Sequence, residues 1–197
     1  FCFLDADGNR VYLALSMMGE VNKKNPNGDI SCGMQVISIN KKGKYSWGLS
    51  GLLLPLSDEK TVMKLAGSEE GVPLSIRYCN GAFDIWVNGE QVAYDVKAKD
   101  PDGNEVLSVG AKAAVGLECW NGKTVYNQLT FDGNYPSKPP TSVSGWDLSK
   151  LDQGIVRSLS NFWNTKAMIT DEYKNEISIS AKIPLPLVSG KDARAGF

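Results

Sequence analysis

Apolar and polar residues alternate with a period of two along much of this chain. The pattern is clearest in Arg10–Met17 (R-V-Y-L-A-L-S-M), Met34–Ile39, Leu74–Tyr78, Ala82–Val87 and Gln91–Val96, all short and rich in β-branched or aromatic residues. Successive side chains of a strand point to opposite faces, so this period predicts half-buried β-strands. Between and around the runs stand Asp7-Gly8, Asn27-Gly28, Lys42-Gly43, Asn80-Gly81, Asn88-Gly89, Asp102-Gly103 and Asn121-Gly122. Such pairs tolerate the positive φ angles of tight hairpins, which predicts antiparallel neighbours. No segment carries a long 3.6-residue apolar repeat. Ser57–Leu65 predicts one short helix, opened by a Ser57 cap. The expected fold is all-β.

The stretch from Pro73 to Val96 is the most specific. Leu74 and Ile76 alternate toward one face, and after the Asn80-Gly81 turn Phe83, Ile85 and Val87 do the same. The pattern predicts consecutive antiparallel strands with those three residues in the core. Asp84 and Trp86 then fall on the opposite face, with Asp84 exposed.

Three blocks within residues 74–131 carry a resemblance: L-S-I-R-Y-C-N-G-A-F-D-I-W-V-N-G-E-Q-V, A-V-G-L-E-C-W-N-G and V-Y-N-Q-L-T-F. They resemble the C-terminal half of concanavalin A/laminin G-like jelly rolls. That resemblance implies an antiparallel jelly-roll sandwich. It also implies a context, because such domains occur as sugar-binding modules beside bacterial glycoside hydrolases and as repeats in bacterial surface proteins. The motifs specify a fold far better than a ligand.

Asn134–Gly145 (N-Y-P-S-K-P-P-T-S-V-S-G) has the Pro/Ser composition of a linker. It divides the chain into a main body, 1–133, and a segment, 146–197, that either completes the same sandwich or opens a following repeat. In the second segment Ile177, Ile179, Ala181 and Ile183 alternate with polar neighbours, and E-I-S-I-S-A-K-I resembles an early strand of the same family. The chain also starts (F-C-F-L-D-A-D-G) and stops (A-R-A-G-F) inside apolar, strand-like runs, without an initial Met. Joined end to start, these runs read as one hairpin. The expectation is a processed piece, circularly permuted or split between repeats, with Phe197 meeting Phe1.

Composition narrows the function. Twenty-one basic against 22 acidic side chains leave a net charge of −1, which predicts no nucleic-acid partner. The apolar run Leu52-Leu53-Leu54 stops at Pro55, far short of a membrane span, so no membrane insertion is expected. The chain has no histidine, which removes Ser-His-Asp and Cys-His nucleophilic systems in their usual form. Cys2, Cys32, Cys79 and Cys119 form no C-x-x-C pair; two disulfides and four buried thiols both fit.

Paired carboxylates are the remaining enzymatic option, since glycosidases set an acid against a base or nucleophile. The alternating E-x-D-x-E strand of jelly-roll glycanases is absent, and Glu69-Glu70 and Asp171-Glu172 read as solvated turns. The chain is therefore expected not to be an enzyme. Asp5, Asp7 and Asn9 have the oxygen density of a calcium loop, although hairpin chemistry accounts for D-A-D-G-N equally well, and Asp100–Asn104 shares this ambiguity. Calcium is the one cofactor these loops suggest. Sugar sites stack rings on aromatic faces and fix hydroxyls with polar groups. The candidates are Trp86 with Asp84 on its face, then Trp47 and Trp120 beside loops. A non-catalytic, extracellular or cell-surface carbohydrate-binding module is the first expectation. The alternative is an adhesin repeat that binds a host protein such as immunoglobulin.

Overall fold

The computed structural model describes residues 1–18, 31–46, 52–120, 124–136, 145–159, 166–170, 172–184 and 193–195. In chain order its strands are β1 (Cys2–Asp5), β2 (Arg10–Met18), β3 (Ser31–Ile39), β4 (Tyr45–Ser46) and β5 (Leu52–Pro55). Helix α1 (Glu59–Ala66) precedes β6 (Val72–Cys79), β7 (Ala82–Val87), β8 (Glu90–Lys97), β9 (Ala113–Trp120) and β10 (Val125–Phe131). Last come β11 (Trp146–Lys150), β12 (Ile155–Ser158), β13 (Lys166–Met168), β14 (Glu176–Ile183) and β15 (Ala193–Ala195).

These strands form two antiparallel sheets. In the first, β9 is followed by a lane that β1 and β15 share, then by β2 and β3. Strand β13 lies beyond β9, and β4 and β5 both pair with β3. The second sheet runs β11-β12-β10-β14-β6-β7-β8. Strands from beyond residue 145 enter both sheets, and β14 lies between β10 and β6. Strands β1 and β15 are collinear. Ala195 stands opposite Leu15 and Phe1 exchanges both backbone hydrogen bonds with Leu13, so one place, opposite Ala14, separates them along β2. Phe197, expected to meet Phe1, lies outside the described residues.

The inner faces of the two sheets make one core. Phe1, Phe3, Leu13, Leu15, Met34 and Leu117 from the first sheet pack against Leu74, Ile76, Tyr78, Tyr126 and Ile179 from the second. The alternation in β7 works as its period requires: Phe83 and Ile85 are fully buried and Val87 nearly so. A smaller apolar cluster of Cys2, Tyr12, Ala14 and Ile37 lies on the other side of β1, β2 and β3. Sequence periodicity places the helix well and its cap one residue off. Asp58, not Ser57, caps α1, with its carboxylate accepting from Thr61 N at 3.1 Å. The Ser57 hydroxyl instead donates to Glu90 Oε2 at 2.6 Å, tying the helix entry to β8.

Tyr78 fastens the core to the 106–112 loop. Its ring is fully buried and its hydroxyl donates to Ala111 O at 2.6 Å. Burial pushes its phenol up to about 12 from 10.0. A raised folded value means that the neutral phenol stabilises the fold fully below the unfolded value near 10, and that this contribution is lost as pH climbs through 12. Urea midpoints of the wild type and Tyr78→Phe, followed from pH 8 upward, should therefore converge across that alkaline window. Curves that stay parallel would show that Tyr78 is not the titrating group.

Candidate functional site

The β7–β8 pair departs from a regular ladder at two points, and a groove opens at the one between Phe83 and Ile85. Phe83 pairs with Val96 and Ile85 with Ala93, so Asp84 alone faces two residues, Tyr94 and Asp95. This is a β-bulge, the device by which sheets re-aim a side chain. Asp95 takes a positive φ of 52°, a conformation that Asp tolerates better than most residues. Its N–H turns away from the ladder and donates to Asp84 Oδ1 at 2.9 Å. The bulge swings Tyr94 outward, where 77% of its surface is exposed, while Ala93 faces the core.

Asp84 forms the floor. Regular alternation predicts it exposed, but its side chain is only 14% accessible. The cause is the bulge, whose backbone covers one carboxylate oxygen, while the Arg77 guanidinium approaches the other at 4.0 Å. Around this floor a groove of about 380 Å³ is lined by Arg77, Asn80, Tyr94, Asp95, Lys97 and Val109, together with Cys79 and Ala82. Lys97 is held by Glu105 at 2.9 Å.

Val109, 72% exposed, comes from the loop after β8. Val106 and Leu107 bury the start of that loop in the core, and the bond from Tyr78 to Ala111 fixes its end. The Asn80-Gly81 turn supports it from below, since a Cβ on Gly81 would fall 2.5 Å from Leu107 O. The thiol of Cys79 is held above its ordinary value, first by burial and then by its contact with Glu176, 3.6 Å away. It therefore stays protonated at neutral pH and is a poor nucleophile.

The sequence candidates separate in space. Asp84 and Trp86 share the outer face of β7, as the alternation requires, but Trp86 stands half-buried opposite Ser75 and Gln91, outside the groove lining. Trp120 belongs to the other sheet, with its backbone opposite Arg194. Trp47 lies outside the described residues. Tyr94 and Arg77, which the sequence did not single out, are the side chains that accompany Asp84.

The acidic loops behave as turns. Asp5 accepts from Asn9 N at 2.8 Å and Asn9 Nδ2 at 2.7 Å, Asn9 Oδ1 accepts from Lys41 N, and Asp7 lies 3.8 Å from Lys41 Nζ. Asp100 accepts from Asn40, Asp102 and Asn104, and hydrogen bonding to Asn40 first of all holds its carboxyl below the ordinary value. Among the described residues no group of three or more His, Cys, Asp or Glu gathers as metal ligands would.

Cys79 lies on the outer face of β6, and Cys2 is buried in the smaller cluster on the outer side of β1, β2 and β3. No helix among the described residues is long and apolar enough to cross a membrane. No protein-family model, curated protein or solved structure matches the chain.

Proposed function

We propose that this chain is a non-catalytic carbohydrate-binding module, with the groove beside Tyr94 as its sugar site. The observation that carries the reading is the bulge. It projects a largely exposed aromatic ring beside a mixed polar groove whose volume of about 380 Å³ falls in the usual small-ligand range of about 300–1,000 Å³. Tyrosine is amphipathic, so its face stacks on the apolar side of a sugar ring while neighbouring groups take the hydroxyls. The resemblance to concanavalin A-like jelly rolls points the same way. Under this reading the chain works outside the cell or at its surface, as one module of a multidomain bacterial protein.

The glycosidase alternative gains no support from the groove. Asp84 is engaged by its neighbours, and Asp95 sits beside it on the same bulge rather than across a cleft from it.

A glycan array tests the reading directly. Tyr94→Ala should weaken the best array ligand at least tenfold without moving the thermal midpoint, because the ring is solvent-exposed. Incubation with common polysaccharides should release no reducing ends. An unchanged Tyr94→Ala affinity would remove the groove from the site. The exposure of Val109 beside Tyr94 favours one competing reading, a host-protein contact. Capture of immunoglobulin from serum with a silent array would replace the sugar reading by that one.

A further inference from the structure

We infer that the groove selects neutral sugars and rejects uronic-acid or sulfated ones, and that the Asp95 carboxylate makes this selection. The inference rests on reading the groove as a sugar site, and it adds the chemical class of ligand.

The argument is a pairing of charges around the groove. Arg77 stands directly opposite Asp84 in the β6–β7 ladder and lies 4.0 Å from its carboxylate. Lys97 is taken by Glu105 at 2.9 Å. Asp95 contributes its backbone N–H to Asp84, but among the described residues no hydrogen bond or ion pair engages its carboxylate. It is exposed and follows Tyr94 in the chain, so both residues line the groove. A sugar lying on the Tyr94 ring would meet an acceptor-only group there. A carboxylate can accept from two adjacent hydroxyls at once, and such charge-assisted bonds are the stronger kind. A ligand carboxylate or sulfate at that place would face a like charge, the two groove-lining cations being set against Asp84 and Glu105 instead.

The experiment uses matched pairs on a sensor surface: an oligoglucoside against an oligoglucuronide, an oligogalactoside against an oligogalacturonide, and an oligomannoside against an oligomannuronide. In whichever pair binds, the neutral member should bind at least tenfold more tightly. Asp95→Asn keeps the shape and tolerates the positive φ, so the bulge should persist. That variant should lose at least fivefold in affinity for the neutral member and should narrow its preference over the uronide. A uronide that binds as tightly as its neutral partner would overturn the selection while leaving the sugar site standing. A wild-type preference that Asp95→Asn leaves intact would remove Asp95 as its source. Silence of all six oligosaccharides would overturn the sugar reading itself, and this inference with it.

Discussion

Phe3→Ala should cost about 3–5 kcal/mol of stability, the range for deleting a large aromatic side chain from a packed core. Phe3 is fully buried on β1 and reaches across the sandwich. Its ring centroid lies 5.0 Å from that of Phe83, in an edge-on contact, and 5.7 Å from that of Tyr78. Those two rings lie 5.3 Å apart on β7 and β6, so one side chain of the first sheet locks into a pair from the second. Two terms add: the lost burial of apolar area, and the dispersion contacts that a rigid cavity wall cannot recover. Tyr45→Ala, at a position 58% exposed, is the control and should stay within about 0.5 kcal/mol of wild type. Urea unfolding of both variants decides the matter. A Phe3→Ala loss under about 1.5 kcal/mol would mean that the sheets do not depend on this contact.

Gly81→Ala should be nearly as damaging, and for a different reason. Gly81 has a φ of +90°, and any L side chain there carries a left-handed penalty of about 1–2 kcal/mol. In addition, its Cβ would fall 2.5 Å from Leu107 O and 2.7 Å from Ser108 O, both of them backbone atoms that cannot rotate away. Overpacking of this kind adds about 1–3 kcal/mol. Gly103 separates the two effects, because its φ is +86° and nothing lies within 4 Å of the Cβ it would gain. Gly103→Ala should therefore show the conformational penalty alone. Equal losses at the two sites would refute the steric half of the argument. The clash also has a functional side: relieving it pushes Leu107 and Ser108 outward and moves Val109, one wall of the groove. Gly81→Ala should thus weaken ligand binding even at temperatures where it stays folded, and Gly103→Ala should not.

The difference between what the chain announces and what it conceals lies in β8. Where pleating is regular, as in β6 and β7, the period of two assigns every side chain to its face, and Phe83, Ile85 and Val87 fall inside together. In Gln91–Val96 the same rule would place Val92, Tyr94 and Val96 on one face. The observed register slips twice, between Phe83 and Ile85 and between Ile85 and Trp86, so Ala93 faces the core while Tyr94 leaves it. A single inserted residue reverses the face of everything beyond it. The one local hint was an Asp after the Tyr, a residue able to hold a positive φ, and that hint is weak without its partner Asp84. Trp86 was the natural aromatic candidate because regular alternation is all that a sequence displays. Tyr94 lines the groove because the alternation fails there.

The same irregularity protects the border of the sheet. Strand β8 is the last of its sheet, and an edge strand with regular, unused amides invites pairing with another chain. Here the bulge turns the Asp95 amide inward to Asp84, breaks the repeat that a docking strand would need to match, and puts a charge on the exposed border. Removing the slip opposite Asp84 by deleting one residue there would therefore do more than disturb the groove. It would leave a flatter, better-ordered edge in a protein whose net charge of −1 offers little colloidal repulsion, and turbidity on concentration would rise. The kink that shapes the proposed sugar groove also leaves a poorer template for edge-to-edge pairing of neighbouring copies.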